Sequence, residues 1–376
     1  MPERMTYPFW KGIILDTASD FVTNEGLIPD SSNTFCDSIN LNEMKIPIPI
    51  SGGLMFSYKC PAECRHCMYA CSPKWTGDWI TVGQLEQFLP QLAKVIMPSP
   101  YGRHHMSLNH GLHFSGGEPF LNFKLLLKAV EIAETLKIPS TFVETNCFWC
   151  KDDAITIKRL QALKEKGLKG IMISVNPFYA EYVPFERTER CIRISQDVFG
   201  QNVMVYQVEY YRLFKRLGIT GKLSIDEYLK LAPEESISDR IEFFLMGRAA
   251  EAFKDFYPGY SSKRFFNTPC QPDFLRSWHN HFDNYGNFMP GYCGGISLGS
   301  WFEMDRLLME GIDLENRPVL KCLIKEDMKG LLDFAFDMGY QEQEEGYVSK
   351  CHLCLDIRKF LASRGDYDEL QPREFY

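Results

Sequence analysis

Tyr58-Lys59-Cys60-Pro61-Ala62-Glu63-Cys64-Arg65-His66-Cys67-Met68-Tyr69 is the stretch on which the fold turns. Its cysteines follow the spacing C-x3-C-x2-C, and the run over residues 49–59 reads as a strand leading into them. Three thiolates on one tight loop can hold three irons of a 4Fe–4S cube, whose usual complement is four cysteines. The fourth iron is then open to another ligand. The competing reading is a structural zinc loop, with Cys71 as the nearest further ligand, although zinc knuckles usually come as paired C-x2-C units.

Downstream of this loop the pattern alternates. Helical periodicity spans 81–97, 123–137, 153–167 and 189–200. Strand-like runs cover 111–115, 140–146, 170–176, 203–211 and 240–247. About six strands alternating with helices imply parallel strands joined by right-handed crossovers. The expected fold is α/β, an open, partial (β/α)6 barrel with function at the carboxyl ends of its strands. Residues 1–48, with turn-formers such as Pro29-Asp30-Ser31-Ser32-Asn33, read as an N-terminal extension, and 49–247 as the barrel. Beyond Gly247, residues 255–300 are rich in Gly, Pro, Asn, Tyr and Phe, and helical stretches follow at 327–339 and 353–363. A second domain is expected over 248–376.

Composition narrows the function. The 376 residues are 45% hydrophobic and 24% charged, enough to bury a core without disulfide staples, so the 13 cysteines have other uses. A net charge of −8 without a basic stripe argues against nucleic acid. There is no apolar run of membrane-spanning length and no signal-peptide layout, so a cytoplasmic protein with no membrane partner is expected. In a reducing compartment, clustered cysteines point to metal or redox chemistry.

The next strand ends in Ser115-Gly116-Gly117-Glu118-Pro119. Following the cysteine loop by one helix and one strand, this segment resembles the GGEP motif of the radical S-adenosylmethionine (SAM) superfamily. The resemblance covers roughly residues 50–250. It implies that Cys60, Cys64 and Cys67 carry a 4Fe–4S cluster with an open iron, to which SAM binds. It also implies that Ser115, Gly116, Gly117, Glu118 and Pro119 border the SAM amino group. Glu144 and Asn146 at the end of the third strand, with Ser174 and Asn176 at the end of the fourth, would face the ribose and methionine groups. The residues alone read equally well as strand-end caps. His66 stands where the family commonly has a bulky aromatic packed near the adenine.

Cys270, Cys293, Cys351 and Cys354 form a second group. The context of Cys293, residues 281–295, resembles the hairpin of SPASM and Twitch domains, which bind auxiliary clusters. Residues 246–251 are similar to the Gly-Arg-Ala junction that precedes such domains. The resemblance implies an auxiliary metal on these four cysteines, closer to Twitch than to SPASM. An iron–sulfur cluster and a single iron or zinc are both compatible with four thiols. The C-x2-C pair Cys147 and Cys150, on the active-site side, could be redox-active or contact substrate but is expected to be ordinary buried thiols, and Cys36, Cys191 and Cys322 read as isolated structural ones. His104, His105, His110 and His113 form a group that can bind metal, but a loop-and-strand surface is the expected reading.

The resemblance implies an oxygen-sensitive enzyme that needs an electron donor such as a ferredoxin or flavodoxin. A peptide or protein residue is the expected substrate, because such auxiliary domains often serve modifying enzymes. Aromatic-rich segments at 256–260 and 277–282 look suited to gripping a chain. Two alternatives stand beside this. One is a cobalamin-dependent protein C-methyltransferase, although 59 residues before Cys60 are too few for the common N-terminal cobalamin domain. The other is a Twitch-type dehydrogenase or epimerase of a small molecule.

Overall fold

The computed structural model describes residues 43–232, 245–254 and 256–376. Its centre is an eight-stranded sheet: β1 (Ser51–Met55), β2 (Gly111–Ser115), β3 (Phe142–Thr145), β4 (Gly170–Ser174), β5 (Val203–Tyr206), β6 (Asn280–Phe282), β7 (Asn287–Met289) and β8 (Gly299–Ser300). The spatial order is β5-β4-β3-β2-β1-β6-β7-β8. Strands β1 to β5 are all parallel, and β6 joins β1 in parallel as well. The β6–β7 and β7–β8 pairs are antiparallel. Every residue of β1, β2 and β4 is buried, as strands covered on both faces require.

Helices α1 (Val82–Ala93), α2 (Phe123–Thr135), α3 (Asp153–Glu165) and α4 (Phe185–Phe199) follow β1 to β4 in turn. In α2 the buried residues are Leu125, Leu126, Ala129, Val130 and Ala133, one face at helical spacing. Each such leucine contributes roughly 1.5–3 kcal/mol by leaving water. Thr81 caps α1 in a capping box with Gln84, and Asp152 caps α3. The mostly parallel α/β sheet agrees with the expected partial barrel.

One expected strand is shorter than its pattern suggested. The run 203–211 extends only to Tyr206, because Gln207 takes a left-handed conformation and α5 (Val208–Arg216) begins there. Val, Tyr and Glu alternate in this stretch and imitate a strand. The burial of Val208, Tyr210, Leu213 and Phe214, however, follows a helical face. The strand expected at 240–247 lies largely outside the described residues, as do Cys36 and most of the N-terminal extension.

The β6–β7 hairpin extends the sheet from the edge of β1. Its turn is organised by buried Asp283, which accepts from Tyr285 N and Asn287 N at 2.9 Å each and from Asn287 Nδ2 at 3.0 Å. The same carboxylate accepts from Tyr58 Oη at 2.9 Å, tying the hairpin to the segment just before the cysteine loop. Helices α6 (Pro318–Lys325), α7 (Met328–Asp337) and α8 (Lys350–Arg364) pack in sequence beyond the hairpin. No helix among the described residues is long and apolar enough to cross a membrane.

Candidate functional site

The carboxyl ends of β1 to β5 converge on one cavity. Cys60, Cys64, Cys67, Ser115, Gly116, Gly117, Pro119, Glu144, Asn146 and Ser174 all line it, together with His66. The cysteine loop leaves β1 and is pinned at both ends: Cys60 N donates to Ser72 O at 3.1 Å, and Cys67 N to Cys64 O at 3.1 Å. The Gly-rich turn after β2 braces the same loop. Gly117 N donates to Ser57 O at 2.8 Å and Glu118 N to Lys59 O at 3.1 Å.

Asn146 Nδ2 lies 3.6 Å from Cys60 Sγ, an N–H···S contact onto the sulfur, while its Oδ1 accepts from Phe148 N at 3.0 Å. Glu118 turns inward instead of lining the cavity. It accepts from Thr145 Oγ1 at 3.0 Å, Asn146 N at 2.9 Å and Phe120 N at 3.2 Å. Burial pushes its carboxyl up to about 8 against these hydrogen bonds. Glu118 therefore positions the Asn146 backbone from behind.

Asn176 caps the short helix Pro177–Ala180 through Oδ1, and its Nδ2 meets His66 Nε2 at 3.1 Å and Gln207 Oε1 at 2.8 Å. His66 stacks on Phe178 with ring centroids 5.3 Å apart and meets Tyr179 edge-on at 4.7 Å. Burial holds the His66 imidazole down to about 3, so it is neutral at pH 7. Ser115 Oγ donates to Glu144 Oε2 at 2.8 Å, and burial pushes the Glu144 carboxyl up to about 7. Burial raises the Cys60 and Cys64 thiols, whereas the Cys71 thiol hydrogen-bonds to Cys67 and lowers it to about 6. Three such thiols at one cavity wall, with an amide aimed at one sulfur, fit an iron–sulfur ligand set.

Arg248 was not singled out from the sequence, though its Gly-Arg-Ala context was the available signal. Its guanidinium donates to Cys64 O at 2.8 Å, Ala70 O at 2.7 Å and Cys71 O at 2.9 Å. Three carbonyls of the cysteine loop are thus held by one planar fork.

The second group of cysteines also converges. Cys270, Cys293, Cys351 and Cys354 line one smaller cavity with Lys350 and Arg358. Cys351 and Cys354 come from the first turn and a half of α8, Cys270 precedes the short helix Gln271–Phe274, and Cys293 follows the hairpin. Burial pushes the Cys270 thiol up to about 11 and Cys351 up to about 12. Burial raises the Cys293 thiol as well, and holding these thiols as thiolates requires a compensating metal centre. Buried Arg358 adds a cation, fixed by donating to Gly294 O at 3.0 Å and Tyr376 Oη at 2.7 Å. This donor set fits a metal centre too.

The two cysteine groups touch through backbone. A Cβ on Gly247 would lie 2.2 Å from Met68 O, and one on Gly294 would lie 2.5 Å from the same atom. Met68 follows Cys67, and Gly294 follows Cys293.

Other groupings differ from expectation. Cys147, Cys150 and Cys191 are fully buried with sulfurs all within 4.8 Å of one another, so Cys191 is not isolated. His104 and His105 are exposed, but His113 is 1% exposed and belongs to the sheet interior. In the segment 277–282, His279, Asn280, His281 and Phe282 are buried, so they offer no outer gripping surface. Cover on both faces of the sheet hides them, which composition alone could not show.

No family model matches the chain, and no curated protein matches it. Solved structures do. One is native anSMEcpe with bound AdoMet, at 14% identity and a TM-score of 0.42, covering 84% of this chain and 98% of that one. The same protein with bound AdoMet and Cp18Cys peptide is similar at 14% identity and a TM-score of 0.40, with the same coverage. BtrN in complex with AdoMet and 2-DOIA is similar at 15% identity and a TM-score of 0.39, covering 73% of this chain and 88% of that one.

Proposed function

We propose that this chain is a radical SAM enzyme that modifies a C–H bond, with a peptide or protein residue as its substrate. The observation that carries the first part is the meeting of Cys60, Cys64 and Cys67 with the Ser115–Pro119 turn at the carboxyl ends of parallel strands. Cys60, Cys64 and Cys67 would hold a 4Fe–4S cluster, and the Gly turn, Asn146 and Ser174 would border SAM. When bound and reduced, the cluster would supply one electron to the SAM sulfonium, whose C–S bond would break to give methionine and a 5′-deoxyadenosyl radical.

The chain's own residues do the rest. Arg248 and the Gly116-Gly117 turn fix the loop, Asn146 directs its amide at Cys60 Sγ, and Asn176 orients His66 against the aromatic wall. The hairpin and helices after residue 248 cover the β1 edge of the sheet, which supports their reading as a lid bearing an auxiliary centre on Cys270, Cys293, Cys351 and Cys354.

Replacing Cys60, Cys64 and Cys67 together with Ala should abolish dithionite-driven 5′-deoxyadenosine formation and leave the auxiliary metal bound. Normal formation by this variant refutes the proposal. For the substrate, half-buried Phe256 and Tyr257 remain as surface aromatics. Incubating reduced enzyme and SAM with host proteins should give mass-shifted peptides. Deoxyadenosine that rises only with the low-molecular-weight fraction would assign a small molecule instead.

A further inference from the structure

We propose that His113, His279 and His281, with Glu144, bind one divalent transition-metal ion on the wall of the main cavity, within reach of an oxygen donor of the substrate. The sheet order makes the cluster. Strand β1 lies between β2 and β6, and Gly53 pairs with His113 on one side and His281 on the other. His281 lies in β6 and His279 just before it, with their ring centroids 5.1 Å apart. A Cβ at Gly53 would lie 2.3 Å from His113 Nε2 and 2.6 Å from His281 Cδ2. Only a residue without a side chain lets these rings close over β1.

The spacing matches a metal. The ring centroids are 5.1 Å apart for His113–His279, 5.3 Å for His113–His281 and 5.1 Å for His279–His281. A tetrahedral ion about 2.0–2.1 Å from each ligating nitrogen places imidazole centroids about 5 Å apart. One ligand nitrogen from each residue lies within 4.8 Å of the other two.

The tautomers also suit a metal. His279 Nδ1 bonds Leu108 O at 2.9 Å, and His281 Nδ1 bonds Gly291 O at 2.8 Å. A nitrogen facing a carbonyl carries the proton, which leaves Nε2 of each ring with a free lone pair. That is how ligating histidines are held from behind. His113 Nε2 is buried without a hydrogen-bond partner, 3.3 Å from Glu144 Oε1. Leaving such an atom unsatisfied costs about 1–3 kcal/mol. An apolar ring in its place would avoid the cost, so packing alone does not account for it. Ser115 occupies Glu144 Oε2, so Oε1 is the oxygen turned to the histidines.

Three imidazoles and one carboxylate suit zinc, iron(II), nickel or copper(II) rather than calcium or magnesium. Three imidazoles and one carboxylate complete a tetrahedron, so a substrate oxygen would enter as a fifth ligand or displace the Glu144 carboxylate. His279, His281 and Glu144 line the same cavity as the cysteine loop, which puts that exchange within reach of whatever enters there. A substrate carboxylate or hydroxyl is the chemical class that binds such an ion. This site does not depend on the radical SAM reading, and the experiment separates the two.

The test titrates the full chain, with its iron–sulfur centres loaded, with Co²⁺ under argon, followed by Zn²⁺ competition. One Co²⁺ per chain should bind, with visible bands of a tetrahedral nitrogen–oxygen site, no thiolate charge-transfer band and no change in iron or sulfide. The His279→Ala/His281→Ala variant should lose affinity by at least about a hundredfold. The Cys60→Ala/Cys64→Ala/Cys67→Ala variant should bind Co²⁺ as the natural chain does. Should the histidine variant fail to fold, proton NMR of the unmodified cobalt form decides. It should show hyperfine-shifted, exchangeable imidazole N–H signals from His279 and His281. Absence of tetrahedral bands at millimolar Co²⁺, absence of those signals, bands that persist in the histidine variant, or bands with thiolate charge transfer would each overturn the proposal.

Discussion

Replacing Gly117 with Ala adds one methyl group at the point where the Gly-rich turn meets the cysteine loop. Its Cβ would lie 2.0 Å from Lys59 O, 2.4 Å from Lys59 C and 2.9 Å from Tyr58 C. Real Cβ contacts do not fall below 3.0 Å, so the two segments must separate by at least 1.0 Å (3.0 − 2.0). All three atoms are backbone, and no rotamer change relieves the clash. Overpacking of this kind costs about 1–3 kcal/mol. The hydrogen bonds Gly117 N–Ser57 O and Glu118 N–Lys59 O span the same seam, and losing them adds about 1 kcal/mol each. The expected loss of stability is therefore about 3–5 kcal/mol. Lys59 immediately precedes Cys60, so the displacement falls on the first sulfur. A misplacement of about 1 Å at a reacting centre costs on the order of a hundredfold in rate. The assay measures 5′-deoxyadenosine release under dithionite alongside thermal melting, with Gly83→Ala as a control. The nearest atom to a Cβ at Gly83 is Thr81 Oγ1, at 4.0 Å. A Gly117→Ala protein that melts and cleaves SAM like the natural chain would refute the reasoning.

Cys351→Ser/Cys354→Ser should lose one metal centre, about four irons with matching sulfide for a cube and one metal without sulfide for a single ion; metal and sulfide analysis checks it, and unchanged contents would remove the auxiliary site. Arg248→Ala should cost about 2–4 kcal/mol in denaturant unfolding, because three loop carbonyls lose a charged donor, and Arg248→Lys should restore only part of it. Glu118 gives a pH dependence whose sign follows from burial. Its folded-state carboxyl lies at about 8 against an ordinary 4.5. The unfolded chain therefore releases its proton first, and stability falls as pH rises through that window. Glu118→Gln should flatten this slope in melting curves taken across the window, and an unchanged slope would assign it to other groups.

Much of the fold was legible because parallel strands buried on both faces appear as short apolar runs between amphipathic helices. The run at 203–211 misled because Tyr and Val satisfy both a strand's alternation and a helix's buried face, and a left-handed Gln207 decides between them. Both cysteine groups were legible from spacing and context, and each does line one cavity. The histidine cluster was not. His113 precedes His279 and His281 by more than 160 residues, and they meet only because β6 pairs with β1, a parallel pairing that no local pattern encodes. Cys191 joins Cys147 and Cys150 across an αβ layer for the same reason.

The Met68 carbonyl, seated against Gly247 and Gly294, has a consequence for how the protein matures. The chain on one side of that contact leads to Cys67 and on the other to Cys293, so each loop is a mould for its neighbour. Neither can take its final course while the other is loose. On the proposed reading of both cysteine groups as metal sites, their loading would be coupled instead of independent: whichever is filled first stiffens the wall against which the second is built. A chain that has lost its distal centre would be expected to acquire the catalytic one slowly, through a fault in assembly and without any change to the residues that hold it.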